Sequence, residues 1–102
     1  MLHFKEEYLR DIVSGRKRVT IRYGRNYDLR PGNTVFLAVQ GRPVARARVT
    51  SVQVVKLRDL AERHLKMEGF RSLPDLLQHL RRIYPRIRPD SRVTVIEWKL
   101  LP

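Results

Sequence analysis

Apolar and polar positions change their rhythm several times along the chain, and each change marks an element. Leu2 and Phe4 flank His3 in a brief alternation that reads as a short first strand. From Lys5 to Val13, the apolar residues Tyr8, Leu9, Ile12 and Val13 have the spacing of one helix face. Ser14-Gly15 ends that helix, because glycine readily takes the left-handed conformation that closes a last turn. Arg18 to Tyr23 alternates again, with Val19 and Ile21 pointing one way and Thr20 and Arg22 the other. A polar loop runs from Gly24 to a Pro31-Gly32 turn and leads into a strand over Thr34–Gln40. Gly41-Arg42-Pro43 reads as the next turn. Val44 to Val55 then forms a long strand or a bent pair, in which Ala45, Ala47 and Val49 oppose Arg46 and Arg48.

The second half begins with helical spacing. Leu57, Leu60, Ala61, His64, Leu65 and Glu68 fall on one face of a helix ended by Gly69. Ser72-Leu73-Pro74-Asp75 has the form of a capping box and opens a third helix. Its apolar stripe is Leu73, Leu76, Leu77, Leu80, Ile83 and Tyr84, and Pro85 stops it. Arg92 to Leu101 closes the chain as a strand with Ile96, Trp98 and Leu100 on one face. Strands outnumber helices and do not alternate with them, which argues against a doubly wound sheet. The expected class is α+β, a small barrel of five or six strands with two or three helices at its openings. Val19, Ile21, Val35, Leu37, Val49, Ile96 and Trp98 are expected to line one barrel core, with Leu60, Leu76, Leu77 and Leu80 packing helices onto it. No repeat or linker divides residues 1–102, which read as a single domain.

Composition narrows the function classes. The absence of cysteine excludes disulfides, Cys-based zinc sites and a thiol nucleophile. His3, His64 and His79 lack metal-ligand spacing, so neither a metal nor a cofactor is expected; His64 reads as a packed core histidine. No stretch resembles a secretory signal, and no apolar run reaches the ~20 residues of a membrane span. A cytoplasmic location is expected. Lys and Arg total 22 against 10 Asp and Glu, a net charge of +12, which favours a polyanionic partner through counterion release. A thermophile surface rich in ion pairs would also carry many arginines, but with comparable numbers of acids.

Gly15-Arg16-Lys17-Arg18-Val19-Thr20-Ile21-Arg22 concentrates the chemistry. Three consecutive cations stand at a helix-to-strand junction, and the strand presents Thr20 and Arg22 on one face. Repulsion from Arg16 and Arg18 would favour a neutral Lys17 amine, which can act as a general base toward a threonine hydroxyl. The same run also reads as a phosphate-binding loop, or as a solvated charge run. Glu68 extends an apolar helix face where leucine would be ordinary, so its carboxylate should meet a cation or a pocket, or swing to solvent beside Gly69. Tyr23 and Tyr27 flank the basic loop as candidates for base stacking, whereas Tyr84 and Trp98 sit on apolar stripes and read as core.

The segment from Gly15 to Arg22 resembles the G-x-K-x-x-T-x-R signature of ASCH proteins in the PUA-like superfamily. Asp11–Gly15, Pro31-Gly32-Asn33, His64–Phe70, Ile83-Tyr84-Pro85 and Val95–Trp98 resemble further family segments in the same order. The resemblance implies a PUA-like barrel that recognises RNA in a cleft by the barrel. It also implies kinship with a small bacterial branch that hydrolyses acetylated cytidine. On that kinship Thr20 would be the nucleophile, Lys17 its base, and Glu68 the group that orients or exchanges protons. Two departures stand out: Tyr23-Gly24-Arg25-Asn26 replaces acidic residues of that branch, and Asn33 replaces an aspartate. A free nucleoside carries no phosphate to attract so basic a chain. The leading expectation is therefore an RNA- or nucleotide-binding domain with a basic cleft formed by Arg16, Arg18, Arg22, Tyr23 and Arg25. The alternative is an amidohydrolase acting on acetylcytidine through Lys17, Thr20 and Glu68. A structural partner in a ribonucleoprotein particle is the third class.

Overall fold

A computed structural model describes residues 1–102. The strands are β1 (Leu2–Phe4), β2 (Val19–Tyr23), β3 (Thr34–Val39), β4 (Arg42–Lys56) and β5 (Arg92–Leu100). The helices are α1 (Leu9–Val13), α2 (Glu62–Met67) and α3 (Leu73–Arg81), with single 3₁₀ turns before α1 and α2. The strands form one curled sheet in the order β1-β3-β4-β5-β2, a half-barrel of the expected α+β class. Only β1 and β3 run parallel among the neighbours.

The long β4 is one strand bent by two irregularities. Between Val49 and Ser51 the register against β5 slips by one residue, which puts Val49 and Val52 on the same face. A bulge of this kind sharpens strand twist and curls the sheet. The other irregularity, opposite Leu37 and Ala38, falls beside Pro43, whose missing N–H suits an interrupted ladder. The turn before β4 is Gln40-Gly41 rather than Gly41-Arg42-Pro43. Both of its residues have positive φ, +52° and +76°, the requirement of a tight two-residue hairpin.

Two apolar clusters replace the single expected core. Val35, Leu37, Val49, Ile96 and Trp98 pack inside the curl with Leu2 and Ile12. Val19 and Ile21 lie instead on the opposite face of the sheet, against Leu76, Leu80, Ile87, Val93 and Val95. Cross-strand pairing gives the reason. Thr20 stands opposite Ile96, and Val19 opposite Glu97, so Thr20 shares the inner face with Ile96 while Val19 shares the outer one with Val95. β5 is buried on both sides, from Val93 through Trp98.

The expected helix from Leu57 to Glu68 is broken. Leu57–Asp59 is a 3₁₀ turn, and Leu60 and Ala61 are extended, with ψ of 132° and 140°. Leu57 is buried while Leu60 and Leu65 only flank the outer cluster. α3 begins as expected, its Asp75 backbone N–H donating to the Ser72 hydroxyl at 3.3 Å, and it ends before Ile83, which is exposed.

Candidate active site

The two edge strands of the half-barrel, β1 and β2, are not hydrogen-bonded to each other through their backbones. Arg22 bridges this seam, donating from Nη2 to the His3 carbonyl of β1 at 2.8 Å. Its Nε donates to the Thr20 Oγ1 on the same face of β2, also at 2.8 Å. The guanidinium lies over the Phe4 ring, 4.8 Å from its centroid. Three contacts of different kinds thus fix one flexible side chain.

A cavity of about 340 Å³ opens along this seam and is lined by Lys17, Thr20, Arg22 and Glu68. Phe4, Tyr8, Ile83 and Tyr84 contribute apolar surface to it. Its size lies at the small end of ligand pockets, and a few polar groups converging on apolar walls are the usual make-up of such sites. Gly15, at φ +80°, ends the turn after α1 and sends the chain toward β2. The Lys17 backbone N–H then donates to the Asp11 carbonyl at 2.9 Å, which ties the start of the strand to α1.

Lys17 meets a carboxylate rather than its cationic neighbours. Its Nζ donates to Glu68 Oε2 at 3.3 Å, with the two side chains only 10% and 14% exposed, so solvent screens the pair weakly. The ammonium also lies 4.8 Å from the Tyr8 ring centroid and 5.8 Å from that of Phe4, inside the range of cation–π attraction. Glu68 is the residue that caps the C-terminus of α2, so the helix end carries the carboxylate to the cavity. Burial, followed by the negative charges of Glu7 and Glu68, raises the Tyr8 hydroxyl above its ordinary pKa. Tyr8 therefore remains a proton donor at neutral pH, and its oxygen lies 3.4 Å from His79 Nε2.

The basic cluster expected from sequence is dispersed. Arg16 is exposed and paired with Asp11 at 3.0 Å, lining a neighbouring depression that Lys17 and Glu68 also border. Arg18 is exposed and borders neither cavity. Tyr23 packs edge-to-face on Tyr84, with centroids 5.7 Å apart. Arg25 lies over Tyr27 at the rim of a separate groove. The local reasons differ: alternation turns Tyr23 to the face opposite Thr20 and Arg22, Arg16 and Arg18 precede β2, and the loop after Gly24 carries Arg25 away from the seam.

A second polar cluster was not singled out from the sequence. Glu97 on β5 is buried and holds Arg63 through two bonds, of 2.7 and 2.9 Å, and it lies 2.9 Å from His64 Nε2. The Arg63 hydrogen bonds dominate in holding the Glu97 carboxyl at a pKa of about 2; burial opposes them and His64 assists. The available signal was parity, since Glu97 is a carboxylate on the strand face it shares with Val93 and Val95, ahead of the exposed Lys99. This clamp ties α2 to the sheet, and α2 is the helix that ends in Glu68.

Comparison with known proteins agrees with the curled sheet. The sequence matches the ASCH domain over residues 1–102. The chain belongs to the ASCH domain family. This ASCH domain is 32% identical over 100 residues to the N(4)-acetylcytidine amidohydrolase of Vibrio atlanticus, spanning 96% of this chain and 92% of that protein. It is 33% identical over 84 residues to the protein of the same name from Serratia proteamaculans, spanning 80% and 81%. Its fold is that of an ASCH domain crystal structure from Lactobacillus crispatus, with a TM-score of 0.73 at 18% identity over 90% of this chain and 69% of that one. A crystal structure from Enterococcus faecalis has a TM-score of 0.70 at 19% identity over 93% and 70%.

Proposed function

We propose that this ASCH domain is an amidohydrolase that converts N4-acetylcytidine and water to cytidine and acetate. The observation that carries the reading is the convergence of the Thr20 hydroxyl, its Arg22 donor and the Lys17–Glu68 pair on one small, largely apolar cavity. The relatives named for this activity support it over most of both chains.

The chemistry is a two-step acyl transfer. Thr20 Oγ bonds to the acetyl carbonyl carbon, the carbon–nitrogen bond breaks, and the exocyclic nitrogen leaves with a proton as cytidine. Water then adds to the threonine ester, the ester bond breaks, acetate departs, and Thr20 regains its proton. Lys17 takes the proton from Thr20, delivers it to the leaving nitrogen, and does the same for water in the second step. For this it must be neutral. Glu68 Oε2, 3.3 Å from Nζ, is the group that would take the extra proton when a bound substrate expels water from the cavity. Arg22, already donating to the Thr20 oxygen, stabilises the negative charge that develops there. The aromatic and aliphatic walls suit an uncharged pyrimidine.

An RNA cleft at the same opening has less support, because Lys17 and Arg22 are already engaged by Glu68, Thr20 and His3. The test is incubation with N4-acetylcytidine, following cytidine and acetate by chromatography. Thr20→Ala and Lys17→Ala should each reduce turnover by about 100-fold or more while melting cooperatively. Salt-sensitive RNA binding by a chain that releases no cytidine would overturn the reading.

A further inference from the structure

We propose that the groove beyond Arg22 is a phosphate subsite. Arg25 and Arg92 form it with the hydroxyls of Ser91 and Thr94, and Lys56 stands beside it. It would take the phosphate of a cytidine nucleotide, or of an RNA strand, whose base occupies the Thr20 cavity. The inference rests on that cavity holding a cytosine.

Charge balance separates this groove from the depression beside Lys17. Around the depression beside Lys17, the cations Arg16 and Lys17 face the carboxylates Asp11 and Glu68. The groove of about 490 Å³ is lined by Arg22, Arg25 and Arg92 and by no carboxylate. Neither Arg25, Arg92 nor Lys56 forms an ion pair. Lys56 and Arg92 stand directly opposite each other in the β4–β5 ladder, and like charges in that position are destabilising. A phosphate between them would remove the repulsion.

The groove is also prepared for an anion. The Arg25 guanidinium is held over the Tyr27 ring, 5.3 Å from its centroid, so less side-chain freedom is lost on binding. Ser91 Oγ already accepts the Arg88 backbone N–H at 2.9 Å, which leaves its hydroxyl proton free to donate.

Register connects groove and cavity. On one face of the sheet, Thr20, Ile96 and Val52 form a row; Arg22, Thr94 and Val54 form the next; Arg92 and Lys56 follow. Rows are about 7 Å apart. A base at Thr20 would therefore have its own or the adjoining phosphate over the arginines.

The experiment is calorimetric titration with unreactive ligands: cytidine, cytidine 5′- and 3′-monophosphates, and a short oligocytidylate. At low salt a phosphorylated ligand should bind about tenfold more tightly than cytidine. That advantage should shrink between about 50 and 200 mM salt. Arg25→Ala with Arg92→Ala should abolish the advantage and leave cytidine affinity unchanged. Gain already present in a monophosphate identifies a nucleotide; gain seen only with the oligomer identifies a strand. Equal affinity for all ligands, or a gain that survives in the double variant, overturns the subsite. If cytidine fails to bind while phosphates still bind through Arg25 and Arg92, the subsite stands and the cytosine reading of the cavity falls.

Discussion

Replacing Glu97 with glutamine tests whether one buried carboxylate couples stability to pH. In the folded chain its pKa falls from an ordinary 4.5 to about 2, chiefly through the two Arg63 hydrogen bonds. At 1.36 kcal/mol per pKa unit, that shift corresponds to about 3 kcal/mol. Arg63 is 60% exposed, so solvent screens part of the interaction, and about 2 kcal/mol is the expected contribution at neutral pH. The sign follows from the depressed pKa. The unfolded carboxylate protonates near pH 4.5 and the folded one near 2, so the stabilisation is complete above about pH 5 and drains away as pH falls toward 2. Glu97→Gln keeps the shape but cannot ionise, and its amide N–H₂ must face a donor from Arg63 or His64. Urea unfolding followed by circular dichroism at several pH values between 7 and 3 provides the measurement. The variant should be less stable by about 2 kcal/mol at pH 7, roughly a 10 °C loss in melting temperature for a chain of this size. The gap should close as pH approaches 2. Parallel stability curves for the two proteins would refute the coupling, since a constant difference means that ionisation of Glu97 contributes nothing.

Loss of a cap and loss of core volume should be separable in α3. Ser72→Ala removes the acceptor for the Asp75 N–H and should cost about 1 kcal/mol in denaturant unfolding. Leu76→Ala empties a site that is 1% exposed and should cost about 2–5 kcal/mol. Leu77→Ala, on the half-buried side of the same helix, should cost clearly less; equal losses for Leu76 and Leu77 would contradict the packing described here.

Local patterns carried much of the fold. Alternation marked β2, β4 and β5 because a strand exposes its two faces in turn, and the stop at Gly15 and the cap at Ser72 are read from a few adjacent residues. That Thr20 and Arg22 share a face follows from periodicity alone. Which face that is does not. Alternation cannot rank two apolar sides of a sheet, and only the pairing of β2 with the doubly buried β5 turns Thr20 inward beside Ile96. Helical spacing from Leu57 to Glu68 was equally persuasive, yet the chain breaks at Leu60 and Ala61, because tertiary packing outweighs so weak a local preference. The same holds for charge. Composition established an excess of cations, but their distribution depends on contacts between residues far apart in sequence: Lys17 with Glu68, Arg63 with Glu97, Arg22 with the β1 backbone. Those pairings are long-range, and so is the seam between β1 and β2 that gives the cavity its walls. The residue types and their spacing were determined by the sequence; which cations are neutralised, and which stay unpaired, was decided when the sheet curled.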